Sequence, residues 1–324
     1  MTILESINHN HRAELQRLNE RISNQLENSN TLMSRIVMSL LRTKGKQIRP
    51  LMVMICAGMF GPVDNKVLAA AVAVELLHNA SLIHDDVVDN SPTRRNMPTV
   101  NAVWDNHIAV LVGDFFTSSA MQEAISTADL RIVDVLCRLG RSLSLGEIDQ
   151  IYNAREHSFN ENNYYRIIDY KTASLFVASA EMGCLAAGVD DYRLEALSEY
   201  ALLFGRCFQI RDDIFDYFPA EKVGKPTGND LREGKMSLPL LYVLNRERLE
   251  GVDDIKKMLM ADTLSDDEIS HIQAFARDNG GIDDAFAVGE RLGKRACECL
   301  SELPQCTGRD ELEQLIDFTI SRSF

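Results

Sequence analysis

Residues 67–89 read VLAAAVAVELLHNASLIHDDVVD. Apolar residues recur through this stretch at spacings of three and four, the period of a helix. The run ends in three carboxylates, Asp85, Asp86 and Asp89. On a helix, positions i and i+4 share a face, so Asp85 and Asp89 point the same way, about one turn apart. Extended backwards, that stripe takes in His78, Ser81 and Leu82, while Ala73, Val74, Leu76, Leu77, Ile83 and Val87 fill the rest of the helix. Like charges at this spacing disfavour an isolated helix. A divalent cation cancels that cost, and Mg²⁺ takes oxygen ligands, keeps several waters and shares its sphere with substrate phosphates. Almost the same spelling returns at 211–216 as RDDIFD, with Asp212 and Asp216 again one turn apart. FGRCFQI precedes it and the apolar IFDYF overlaps its end. One such motif is an ordinary charged surface; two of them in apolar helical surroundings point to metal sites.

The helical period also runs through 108–127, 164–182 and 194–217. Stops fall at Gly61-Pro62, Ser91-Pro92, Gly188 and Pro219, and Ser265 with Glu268 spells a capping box ahead of Ile269. Strand-like alternation is weak throughout. The expected fold is all-α, a single helical domain over residues 1–324 with roughly ten or more helices around a central cavity. Residues 219–238, rich in Gly, Lys and Asp, read as the one long loop.

The chain has 324 residues, 45% of them hydrophobic, and a net charge of −14. That charge excludes a general nucleic-acid binder. An acidic protein that takes an anionic substrate needs metal ions or a local basic cluster to reverse the field. The first residues lack the basic and apolar regions of a signal peptide, and the longest apolar run, ten residues from Leu51, is too short to span a bilayer. The seven cysteines are scattered and odd in number, so most are expected to be reduced, buried thiols. The expected location is the cytoplasm, with no membrane span.

Basic residues match the acidic faces. Arg94 and Arg95 sit just past the first motif; Lys44, Lys46 and Arg49 flank a helix start in KGKQIRP; Lys171 lies inside the apolar IIDYKTASLF; Lys222, Lys225 and Lys235 populate the loop. Arg grips phosphate oxygens in a bidentate fork. The ligand these groups suit is a diphosphate, more than one of them, and an apolar bundle interior suits a hydrocarbon tail. No nucleophilic Ser or Cys motif is present. His78, in a phosphate-binding stripe, needs only to donate a hydrogen bond.

The ordered motifs GKQIRP (45–50), ELLHNASLIHDDVVDNSPTRR (75–95), GDF (113–115), YKTASLF (170–176), FQIRDDIFDY (208–217) and GKPTGNDLREGK (224–235) resemble those of the trans-isoprenyl diphosphate synthases. The likeness is to the long-chain polyprenyl members, of the octaprenyl diphosphate synthase type, and it covers nearly the whole chain. It implies a Mg²⁺-dependent prenyltransferase with two or three ions per active site, Mn²⁺ being an alternative. The reaction it implies condenses isopentenyl diphosphate with an allylic diphosphate primer, head to tail and trans, to a long polyprenyl diphosphate for quinone side chains. By the resemblance, Asp85, Asp89 and Asp212 hold metal, with Asp216 acting nearby or through water. Lys46, Arg49, His78 and Arg95 bind isopentenyl diphosphate. Arg94, Lys171, Gln209, Lys225 and Lys235 bind the allylic diphosphate, and Thr172 lines the reaction centre. A homodimer is implied as well. Two departures stand out: Gln47 replaces a usual basic residue, and Thr43-Lys44 breaks the usual glycine pair. Both bear on how tightly isopentenyl diphosphate binds.

In this family the residues four and five before the first motif floor the tail pocket. Here they are the small Ser81 and Ala80, which implies a product of roughly six to ten isoprene units. A deeper floor falls to Leu76, Leu77, Phe115, Phe116 or Met121. Four rivals remain: a shorter-chain farnesyl or geranylgeranyl synthase, a terpene cyclase or head-to-head synthase, a non-catalytic partner subunit, and a plain helical scaffold. A cyclase carries one DDxxD and lacks GKxxRP; partner subunits tend to lose their Asp motifs, and a scaffold has no need of inward Asp pairs.

Overall fold

The computed structural model describes residues 2–42, 45–95, 97–219, 227–261 and 263–322. Helices α1 (Ile3–Asn10), α2 (Arg12–Gln25), α3 (Thr31–Arg42), α4 (Ile48–Gly58) and α5 (Asn65–Val88) lead to a two-stranded antiparallel hairpin, β1 (Thr93–Arg94) with β2 (Met97–Pro98). There follow α6 (Val100–Val103), α7 (Asn106–Ser126), α8 (Leu130–Arg155), α9 (Glu161–Ile168), a π-helical turn (Asp169–Ala173), α10 (Ser174–Ala186) and α11 (Asp191–Phe215). The last are α12 (Asn229–Arg232), α13 (Leu238–Leu244), α14 (Val252–Leu259), α15 (Asp266–Asp278), α16 (Gly281–Cys299) and α17 (Thr307–Ser321). The all-α expectation holds, and the capping box forms with both arms in place, Ser265 on the Glu268 amide and Glu268 on the Ser265 amide.

The chain divides into two compact units built from alternating segments: residues 1–140, 175–198 and 302–312 in one, 141–174, 199–301 and 313–324 in the other. In the first, α5 is buried along most of its length. A helix apolar all round belongs inside a protein. By length and composition α5 would cross a membrane, but 78% of its apolar window is packed within the protein. Asp64 caps its start by accepting the amides of Lys66 and Val67 at 2.9 and 3.0 Å. In the second unit, Tyr164, Ile210, Ile214, Leu238, Leu241, Ala285 and Val288 form a buried cluster.

Several expectations needed correction. The helix expected over 164–182 is interrupted by the π turn at 169–173. The loop expected over 219–238 contains α12 and the start of α13 among its described residues. Of the cysteines, Cys56, Cys184 and Cys207 are buried, Cys137 is exposed and the other three are half-buried; all seven are free thiols.

Helix α10 approaches α4 closely. A β-carbon built on Gly183 would stand 2.5 Å from the carbonyl oxygen of Val53, and backbone gives way less readily than a side chain. Gly183→Ala is therefore expected to destabilise the protein by about 1–3 kcal/mol, the usual cost of overpacking a core. Urea unfolding of the variant with an unshifted midpoint would contradict that packing.

Candidate active site

Both acidic motifs divide their labour in the same way. In the first, the middle carboxylate, Asp86, is buried and accepts from Arg94 Nε at 2.7 Å. Burial raises the pKa of Asp86 and the Arg94 charge pulls it back. The outer residues, Asp85 and Asp89, are only half-buried, at the end of α5, where the Asp89 amide still donates to the Asp85 carbonyl at 2.8 Å. In the second motif, the middle residue Asp213 is buried and accepts from Tyr164 Oη at 2.7 Å and Gln209 Nε2 at 2.8 Å. The outer residues, Asp212 and Asp216, are again half-buried. The middle Asp is thus spent on the protein's own structure.

Around the first motif, the Arg95 guanidinium lies against Gly45, so the GKQIRP segment and the turn after α5 meet. Arg95 takes a left-handed φ of 52° in that turn. Arg49 places its guanidinium 4.9 Å from the Phe176 ring centroid, and Lys46 is exposed beside it in sequence. His78 is buried, and its Nδ1 has no hydrogen-bond partner among the described residues. Burial first, then the charges of Arg49, Arg95 and Arg94, hold its pKa well below the usual imidazole value. A neutral imidazole with an unsatisfied buried nitrogen is ready to bond to a ligand. Gln47 exchanges hydrogen bonds with the Asn19 side chain at 3.1 and 3.4 Å. The departure from the usual basic residue therefore ties this segment to α2.

Gly113 of the GDF motif serves packing. A β-carbon there would fall 2.2 Å from His84 Nε2, which is how α7 reaches α5. Ala80 is buried, and Ser81 donates its hydroxyl to the His78 carbonyl at 2.8 Å. Leu76, Leu77 and Phe116 are buried. Met121 is 46% exposed, so it does not floor an interior pocket of this chain; it lies on the outward stripe of α7.

The second unit encloses a cavity of about 240 Å³ lined by Lys171, Thr172, Gln209, Asp213, Asp230 and Lys235 among others. Four residues singled out from sequence, Lys171, Thr172, Gln209 and Lys235, are brought together here. The π turn presents the first two, and π turns within helices mark functional sites more often than chance. Arg206 holds the turn by a two-pronged grip on Asp169, both contacts 2.7 Å. Gly146 of α8 leaves it room, since a β-carbon there would meet Lys171 Cγ and Tyr170 Cβ at 2.8 Å. Lys171 pairs with Glu147 and Lys235 with Glu233. Thr172 donates to Gln209 Oε1 at 2.7 Å, completing a chain Thr172–Gln209–Asp213–Tyr164. Burial raises the carboxyl pKa of Asp213 and of Asp230, and the neighbouring acids raise both further. Asp216 accepts the Gly228 amide at 2.8 Å, and Asp212 pairs with Arg322. Lys44, Lys222 and Lys225 lie outside the described residues. Sequence reasoning missed Tyr164, Glu147, Asp230 and Arg322.

The sequence matches the polyprenyl synthetase family over residues 30–275. The chain belongs to that family. It is 34% identical over 295 residues, 90% of this chain and 83% of the relative, to heptaprenyl diphosphate synthase component 2 of Bacillus subtilis. It is 35% identical over 254 residues, 78% of this chain and 79% of the relative, to octaprenyl diphosphate synthase of Escherichia coli. A crystal structure of a polyprenyl synthase from Caulobacter crescentus, complexed with calcium and isoprenyl diphosphate, superposes with a TM-score of 0.92 at 30% identity, covering 99% of this chain and 98% of that one. The protein is thus a trans-prenyltransferase of the isoprenoid-synthase all-α fold.

His78 sets a pH signature. The fold favours its neutral form, while the unfolded chain takes up a proton near pH 6.5. Acidification below that value therefore pulls towards unfolding, with the contribution to stability present above it and lost below. Between about pH 7.5 and pH 5.5, His78→Gln is expected to lose less melting temperature than wild type, a difference bounded by about 1.4 kcal/mol per pH unit. Equal losses in differential scanning fluorimetry would show that His78 is not held neutral.

Proposed function

We propose that the chain condenses isopentenyl diphosphate with an allylic diphosphate, 1′-4 and trans, and repeats the step to a long polyprenyl diphosphate that serves quinone side chains. The observation that carries this reading is the division of labour in the two acidic motifs. Each offers two half-buried outer carboxylates one turn apart while its middle carboxylate is bonded inside the protein. Among the described residues no three His, Cys, Asp or Glu side chains gather closely enough to hold a metal ion alone. Hard carboxylate oxygens in pairs fit Mg²⁺, which fills its sphere with water and diphosphate oxygens. Asp85 and Asp89 would hold it at one motif, Asp212 at the other with Asp216 alongside, and Mn²⁺ fits the same donors.

When bound, Mg²⁺ neutralises charge that grows on the departing diphosphate. Lys171, Lys235, Arg94 and Gln209, with Lys225 by resemblance, orient the allylic diphosphate, and Thr172 lines the reacting end. Lys46, Arg49, Arg95 and neutral His78 orient isopentenyl diphosphate. The allylic C–O bond breaks, the isopentenyl double bond attacks the allylic carbon, and the diphosphate that left takes the proton. Preplaced donors aimed at the growing charge lower the barrier. We further propose that residues 1–324 act as one catalytic domain in the cytoplasm, which the free cysteines support. A homodimer is supported by Val110, Leu111, Met121 and Ile125, exposed along α7. The name of the Bacillus subtilis relative keeps a partner subunit as the second reading.

Incubation of the purified chain with labelled isopentenyl diphosphate, Mg²⁺ and several allylic primers is expected to yield a long product by chromatography, and excess EDTA is expected to abolish it. No consumption by the chain alone would favour a required partner. Asp85→Ala is expected to lower kcat/KM by about 10²–10³-fold, as when one preorganised stabiliser is removed. Ser81→Phe, one turn before Asp85, is expected to shorten the product to about C15–C20 by blocking the tail pocket; an unchanged product would place the tail elsewhere. Light scattering is expected to give a dimer for the wild type and a monomer for Leu111→Glu.

A further inference from the structure

Arg322, just past α17, is fixed from both of its ends. Its Nη2 donates to Asp212 Oδ1 at 2.7 Å and to the Phe208 carbonyl at 3.1 Å. The guanidinium carbon stands 4.5 Å from the Phe208 ring centroid and 5.2 Å from that of Phe215. The side chain is only 9% exposed, while that of Asp212 is 35% exposed. Arg322's own main-chain carbonyl accepts from Arg211 Nε at 3.1 Å and Nη2 at 2.5 Å. Arg211 in turn lies over the Phe215 and Phe286 rings, at 4.9 and 5.3 Å. Two guanidinium groups are thereby held near one another at an electrostatic cost. An ion pair on open surface contributes little; this one is enclosed by aromatic rings and shares its donor with a backbone carbonyl.

A carboxylate with one oxygen bonded to a fixed donor cannot rotate freely, so its other oxygen has a set direction. Oδ2 of Asp212 takes no hydrogen bond from any described residue. We propose that Arg322 is a positioning residue: it holds Oδ1 of Asp212 so that Oδ2 is presented to the divalent cation accompanying the allylic diphosphate. The inference rests on the reading of Asp212 as a metal ligand. A guanidinium beside a metal site also repels the cation, so the two effects have opposite signs and experiment separates them. The caging of Arg322 at side chain and backbone favours a permanent support over a latch that must swing away.

Mn²⁺ binding to the full-length protein in the presence of inorganic pyrophosphate, followed by electron paramagnetic resonance, tests this without turnover. Removal of an outer-shell partner typically costs 10–100-fold in metal affinity. Arg322→Met is expected to weaken the Mn²⁺ site by about that factor, and Arg322→Lys to recover part of it. Should Arg322→Met fail to fold, as judged by melting without metal, Arg322→Lys against wild type carries the comparison. Asp212→Asn is the control and is expected to lose the site. Unchanged or tighter binding in the Arg322 variants, with loss in Asp212→Asn, overturns the positioning role while leaving Asp212 a ligand. Unchanged binding in Asp212→Asn means that the ligand reading itself fails, and the inference falls with it.

Discussion

Two carboxylates one turn apart on an apolar helix repel each other, and nothing within the helix relieves them. The cost is tolerable only if the charges keep some contact with water or meet a cation. In this protein the outer carboxylates of each motif are half-buried and the middle one is buried with dedicated partners. The third charge of each cluster is compensated internally: Asp86 by Arg94, Asp213 by the hydroxyl of Tyr164 and the amide of Gln209. The outer pair of each motif keeps hard oxygens at the half-buried positions, with Asp212 also on Arg322 and Asp216 on the Gly228 amide. A pair is too few to hold a cation alone, which suits a metal that arrives together with its phosphates.

The cations obey the same rule. In a chain of net charge −14, Lys171, Lys235 and Arg94 each have an acidic partner, Glu147, Glu233 and Asp86. The partners keep the positive groups in place, and a diphosphate would replace or share them. The cavity in the second unit is lined by these lysines and by the Thr172–Gln209–Asp213–Tyr164 chain, with further polar groups such as Asn153, Ser158 and Asn163 and the apolar Ile167, Ile168, Met236 and Leu241 among the rest.

Much of this was legible in the sequence because it is written locally. Helical period announced α5, α7 and α11, and the i, i+4 spacing announced the outer Asp pairs. Longer-range chemistry was not legible. Nothing near Asp213 announces Tyr164, 49 positions away, and Arg322 pairs with Asp212 across 110 positions with no motif of its own. The amphipathic α8 and its Gly146 and Glu147 escaped notice, although they seat Lys171. The π turn could not be read because what packs against it, the Arg206 grip on Asp169 and the space beside Gly146, comes from residues distant in sequence. Met121, one of five candidates for a deeper floor, proves exposed, because a helix stripe read from sequence does not reveal which side faces outward. The division into two units was hidden because each is assembled from alternating segments.

The most direct measurement is anomalous diffraction from crystals grown with Mn²⁺ and an unreactive allylic diphosphate analogue. The account predicts manganese peaks within coordination distance of Asp85, Asp89 and Asp212, with Asp86 still on Arg94 and Asp213 still on Tyr164. Manganese bound to either middle carboxylate, or to neither motif, would contradict it.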